Sequence, residues 1–159
     1  MEFDADKLAY CGIYCPECSF VAAYETGKRE HLLAMPERYD EYKQATLSEV
    51  GNCPGCKLDN LCGDCDIKDC ARSQGQQSMA PKKEDIDSCA ECAKFPCEKV
   101  LAFGNDGVPH HRQALENLMT ISAIGKESWF EGFRKNLECD CGERLSWYYK
   151  CPIHRTSSE

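Results

Sequence analysis

Cysteine is the residue type here whose number and spacing could do chemistry. Fourteen of the 159 residues are cysteine, and Cys15/Cys18, Cys53/Cys56, Cys62/Cys65 and Cys89/Cys92 all have Cys-x2-Cys spacing. Two thiolates on one such turn reach a single ion, and two turns complete the tetrahedron that zinc prefers. Further thiols flank the pairs at Cys11, Cys70 and Cys97, and the pattern Cys62-x2-Cys65-x4-Cys70 recurs as Cys89-x2-Cys92-x4-Cys97. Near the end of the chain Cys139, Cys141, Cys151 and His154 offer a Cys3His set. All of these residues are candidate metal ligands, and the inventory predicts three or four zinc ions.

How the thiols divide among ions is open at this level. Eleven cysteines precede residue 100, so three four-coordinate sites there need one borrowed ligand, from His31, His110 or His111. The doubled repeat equally allows two ions to share bridging thiolates, leaving five cysteines for one further site. For His110 and His111 the ordinary expectation is a polar helix start with both imidazoles in solvent. The first motif, Cys11-x3-Cys15-x2-Cys18, also has the spacing with which radical enzymes hold a [4Fe–4S] cluster and S-adenosylmethionine. Against that reading, the chain is short, lacks repeated strand–helix patterning, and has Glu17 where an aromatic commonly precedes the last cysteine.

Composition supports a structural role for metal. Leu, Ile, Val and Phe make up only 27 of 159 residues and the net charge is −8, a balance bordering on that of disordered chains. A negative chain does not condense on a phosphate backbone. Its dense cationic stretches, Lys28-Arg29 and Lys82-Lys83, are each followed at once by acids. Nucleic acid is therefore not the expected partner. No apolar run is long enough for a membrane span and the chain starts acidic, so the expectation is a soluble cytoplasmic protein. In that reducing compartment clustered cysteines mean metal far more often than disulfides.

Short elements must position these ligands. Phe20 to Thr26 reads as a helix closed by Gly27. The polar stretch Lys28 to Val50 predicts two short helices interrupted at Met35-Pro36. Ser73 to Asp87 reads as a surface loop. Pro109 suits the first turn of a helix carrying Ala114, Leu115, Leu118, Ile121 and Ile124 on one face up to Gly125, and a second helix follows with Trp129, Phe130, Phe133 and Leu137. Cys139 to His154 reads as a small ribbon closed by metal or, failing that, held by Trp147, Tyr148 and Tyr149 packing on Trp129 and Phe133. The expected fold is a small metal-stabilised α class with irregular or minor β structure. It has a cysteine-rich knuckle core with flanking short helices and a C-terminal zinc-ribbon-like hairpin. The expected divisions are a multi-zinc domain over 1–104, a helical hairpin over 105–137 and the ribbon-like tail over 138–159.

The ordered strings Cys11-Gly-Ile-Tyr-Cys15-x2-Cys18, Cys53-x-Gly-Cys56, Cys65-x-Ile-x2-Cys70-Ala and Cys89-x2-Cys92-x2-Phe95-Pro96-Cys97-Glu98 carry a resemblance over roughly residues 9 to 103. They resemble the domain of unknown function 3795 family of cysteine-rich prokaryotic proteins. The resemblance implies metal binding, presumed zinc, and no established activity. The His110-His111-Arg112 helix and the Leu145-Ser146-Trp147-Tyr148 tail are similar to an extension found in some members. There the first knuckle is Cys-x2-Cys-Gly and the second Cys-x2-Cys. Here Glu138 stands where the first cysteine would fall, and His154 replaces the last, an ordinary Cys3His substitution.

Closed four-ligand sites leave zinc no position with which to activate water. The sequence contains no Ser-His-Asp order, phosphate loop or His-Glu-x2-His helix. The leading expectation is thus a non-catalytic zinc module that binds a protein partner or regulates one. The alternative is an open-site or iron–sulfur enzyme or redox protein using Cys11, Cys15 and Cys18.

Overall fold

The computed structural model describes residues 1–51, 53–58, 65–74 and 86–154. Cys62 and most of the expected 73–87 loop lie outside them. The described helices are α1 (Ser19–Thr26), α2 (Glu30–Leu33), α3 (Asp40–Lys43), α4 (Leu47–Val50), α5 (Asp66–Gln74), α6 (Glu98–Gly104), α7 (Pro109–Ile124) and α8 (Lys126–Phe133). Among the described residues there is no extended strand, only the isolated antiparallel bridges Leu8–Tyr14 and Glu138–Arg144. The protein is a small, cysteine-rich, mostly helical fold, as its composition implies.

Local chemistry explains most of the boundaries. Gly27 ends α1 at φ +70°, the left-handed conformation that glycine adopts without a Cβ penalty. Pro109 sits at the start of α7 and Gly125 follows its end. The stretch expected to form two helices is cut more finely, into α2, a 3-10 turn at Glu37–Tyr39, α3 and α4. Pro36 has no N–H and is extended (ψ 161°), which stops α2 from continuing. Thr46 then starts α4 with a capping box, in which its hydroxyl takes the Glu49 N–H and the Glu49 carboxylate takes its own. Helix α5 corrects the expected loop, since Ser73 belongs to it. Asp66 and Asp69 lie in its first turn, where carboxylates favour the helix dipole, and Ile67 and Ala71, one turn apart, are both buried.

Residues 1–14 with 54–131 form one compact unit, and residues 15–53 with 132–159 form another. The core of the first contains Ala9, Cys11, Ile67, Cys89, Val100 and Leu118. Gly12 (φ +92°) lies so close to α7 that a Cβ there would meet the Ala114 carbonyl oxygen and the Leu118 side chain. The Asn117 amide donates to the Gly12 carbonyl at 2.9 Å and accepts from the Trp129 indole at 3.2 Å. Phe3 and Tyr14 pack on Trp129 and Phe130 with ring centroids 5.2 to 6.4 Å apart.

The second unit buries Ala23, Leu32 and Met35 beneath Phe20, Tyr39, Leu47, Val50 and Tyr148. Of its tail aromatics, Tyr148 lies 6.5 Å from Tyr39 and Tyr149 lies 4.5 Å from His31, centroid to centroid. No helix among the described residues is long and apolar enough to cross a membrane.

Candidate metal centre

The tail begins with a knuckle. Gly142, at φ +83°, lets its own N–H turn back to the Cys139 carbonyl at 2.8 Å. The Cys139 N–H reaches the Glu143 carbonyl at 2.8 Å, and the Leu145 N–H closes the arms on Leu137 at 2.8 Å. Beyond Leu145 the chain doubles back through a Ser146–Tyr149 backbone bond of 3.2 Å and delivers Cys151 and His154 to the knuckle.

The ligand atoms of Cys139, Cys141, Cys151 and His154 all lie within 4.8 Å of one another, the one such group among the described residues. The Cys141 and Cys151 sulfurs are 3.5 Å apart, and His154 Nδ1 lies 3.3 Å from Cys139 Sγ and 3.8 Å from Cys151 Sγ. Metal–sulfur bonds of about 2.3 Å at tetrahedral angles place ligand atoms roughly 3.8 Å apart. Edges of this length suit four bonds to one ion, and they are far too long for a disulfide.

Electrostatics favour a cation at this point. The His154 backbone N–H donates to Cys151 Sγ at 3.4 Å and, with that of Ile153, holds the buried Cys151 thiol down at about 6. The Glu143 N–H similarly pulls on Cys141, but the neighbouring sulfurs of Cys151 and Cys139 outweigh it and the thiol sits above its ordinary value. A divalent ion removes that mutual repulsion.

Within the same unit the hairpin is tied to the first helices. Glu143 accepts from Lys28 at 2.8 Å and from the Tyr149 hydroxyl at 3.0 Å. The Arg144 guanidinium pairs with Glu25 at 3.2 Å, and the Trp147 N–H donates to the Glu17 carbonyl at 3.0 Å. Beneath them is a buried polar chain that sequence reasoning missed. The Ser19 hydroxyl donates to Ser146 Oγ at 3.2 Å, and Ser146 lies 2.9 Å from His31 Nδ1. Which of Ser146 Oγ and His31 Nδ1 donates depends on the imidazole tautomer. Three residues of ordinary type, with Ser146 lying 127 and 115 positions from Ser19 and His31, carry no spacing signal.

The histidines considered as borrowed ligands have other surroundings. His31 is fully buried, and burial, with Arg144 next, pushes it down to about 4, so it is neutral. His110 is buried on α7, and His111 stacks on Phe103 and lies 2.7 Å from Asp106, so neither imidazole stands simply in solvent. Of the remaining cysteines, Cys11, Cys56, Cys65, Cys70, Cys89, Cys92 and Cys97 belong to the first unit, and Cys15, Cys18 and Cys53 to the second.

The family described as Protein of unknown function (DUF3795) matches residues 7–102, a span that ends before the Cys3His tail. No curated protein and no solved structure matches the chain.

Proposed function

The chain belongs to the DUF3795 family, and we propose that it is a non-catalytic, zinc-stabilised cytoplasmic module that binds a protein partner. The observation that carries this reading is the tail group: three thiols and one imidazole supply four ligands, which fill a tetrahedron and leave no position for substrate or activated water. Zinc suits a mixed thiolate–imidazole set of this kind. The ligand inventory supports three or four ions in all. The net charge of −8 favours a protein partner over nucleic acid.

Elemental analysis and native mass spectrometry of protein purified without oxygen or chelator test the proposal. Discrete added masses of zinc, at least one of them lost on truncation after Leu137, are expected. Iron in place of zinc, with a brown colour, would overturn the zinc assignment and favour the redox alternative. A truncation that loses no ion would overturn the tail as a centre.

A further inference from the structure

Among the described residues Cys141 is the one exposed cysteine, every other being buried or partly buried. It stands on the knuckle of the Cys3His group, and its sulfur lies 3.5 Å from that of Cys151, which is buried on the returning segment. Cys139, the third thiol, has its sulfur 3.3 Å from His154 Nδ1. Its backbone is fixed on both sides, the N–H by the Glu143 carbonyl and the carbonyl by the Gly142 N–H, each at 2.8 Å. An oxidant arriving from solvent therefore meets Cys141 first and finds a second thiol, Cys151, beside it. An accessible cysteine next to a resolving one is the arrangement that carries reversible thiol oxidation.

The chain between these two sulfurs holds the tail to the rest of its unit. Glu143 accepts from Lys28 and from the Tyr149 hydroxyl, and Arg144 donates to the Pro16 carbonyl at 2.5 Å. Ser146 lies against Ser19 and His31, and the Trp147 N–H reaches the Glu17 carbonyl. A Cys141–Cys151 bond would close this same loop covalently, where an ion closes it by coordination.

We propose that the tail centre is a peroxide-responsive switch, in which oxidation joins Cys141 to Cys151, releases the ion and leaves the hairpin docked on α1 and α2. The inference rests on the proposed function, since it needs an ion bound to the Cys3His group. In the first step the Cys141 thiolate attacks one oxygen of hydrogen peroxide, the O–O bond breaks and hydroxide leaves, giving a sulfenic acid. The Cys151 thiolate then attacks that sulfur, the S–S bond forms, the S–O bond breaks and a second hydroxide leaves. Each hydroxide takes a proton from solvent, so two thiolates give two electrons to one peroxide and two waters result. Cys139 and His154 alone then face the ion, too few ligands for a tetrahedral site, and it is released. Because the disulfide constrains residues 141–151, the oxidised chain keeps the contacts that chelation, which leaves no cross-link, would loosen.

The test titrates the full chain, purified with its ions, with hydrogen peroxide. Ion content is counted by native mass spectrometry, disulfides are mapped by peptide mass after alkylation, and hydrogen exchange is followed in the same samples. One ion is expected to leave in step with a Cys141–Cys151 disulfide, ahead of any disulfide among the cysteines of the first unit, and dithiothreitol with added zinc should restore the starting state. Protection of α1 and α2 should persist in the oxidised chain. A Cys139–Cys141 disulfide, a sulfinic acid at Cys141 with no disulfide, or first-unit disulfides forming earlier overturns the switch. So does loss of protection in α1 and α2 as the tail disulfide forms. An ion that survives peroxide, although truncation after Leu137 removes it, overturns the switch alone. A chain that loses no ion on that truncation overturns the proposed function, and the switch with it.

Discussion

At the scale of single residues, chemistry and burial pull in different directions on the cysteines and on His31. Cys151 is the buried member of the Cys3His group, and backbone N–H groups hold its thiol below the ordinary value. Cys151→Ser should therefore weaken tail metal binding by more than the roughly 10–100-fold typical of changes outside the ligand shell, measured by competition with a chelator. His31 has the opposite character: buried, it is kept neutral, at about 4 against an ordinary value of 6.5. A base whose folded value is depressed contributes its full stability above about 6.5, and the contribution is lost as pH falls from there towards 4. The loss amounts to about 3 kcal/mol. Protein with His31→Gln, which keeps a donor and an acceptor for Ser146 but does not titrate, should lose that much less stability than the native chain over this window in denaturant titrations at matched pH. Parallel pH curves for the two proteins would show that the imidazole is protonated in the fold. None of this was visible in the sequence, where His31 was one of three candidates for a borrowed ligand.

The element that does most here is the glycine turn seen in the first unit at Gly12 and in the second at Gly142. Its backbone conformation requires glycine, and at Gly12 there is a second requirement, the approach of α7. Gly107 separates the two effects: its φ is +87°, and a Cβ there would meet nothing within 4 Å. Gly107→Ala should cost about 1–2 kcal/mol, the strain of a left-handed alanine. Gly12→Ala carries that strain and also forces the turn off the Ala114 carbonyl and Leu118. It should cost at least about 1 kcal/mol more, of the order of overpacking a tight core. Equal midpoint shifts for the two variants in urea unfolding would show that the turn can move away from α7 freely. Elements with local signals were legible: Gly27 closes α1, and Pro109 and Gly125 bracket α7. Helix α5 was not, because turn-forming and charged residues after Cys70 obscured an apolar face of only Ile67 and Ala71.

For the molecule as a whole, an ion bound in the tail as proposed would make metal and fold one equilibrium within that unit. A structural zinc site is worth roughly 10–16 kcal/mol of apparent free energy, as much as the roughly 5–15 kcal/mol that holds a typical domain together. Lys28–Glu143, Arg144–Glu25 and Trp147–Glu17 attach the hairpin to the start of the second unit. Stripping the tail ion should therefore remove hydrogen-exchange protection from α1 and α2 as well as from residues 137–154. Loss confined to the tail would show that the hairpin docks without contributing to its own unit. What the sequence by itself determined was the chemistry on offer: a large thiol inventory at metal-ligand spacings, the Cys3His set of the tail, the family, and helices whose ends are written in proline and glycine. These follow from residue type and from spacings of a few positions, over which backbone geometry is local. Only the tertiary structure decided which distant thiols meet. Each unit is built from two stretches of chain, 1–14 with 54–131 and 15–53 with 132–159, so Cys11 and Cys15, four positions apart, are sorted into different units. Spacing cannot report that division, because it arises from which buried faces pack together, and packing brings Cys11 to Cys89 across a distance in sequence that no local pattern records.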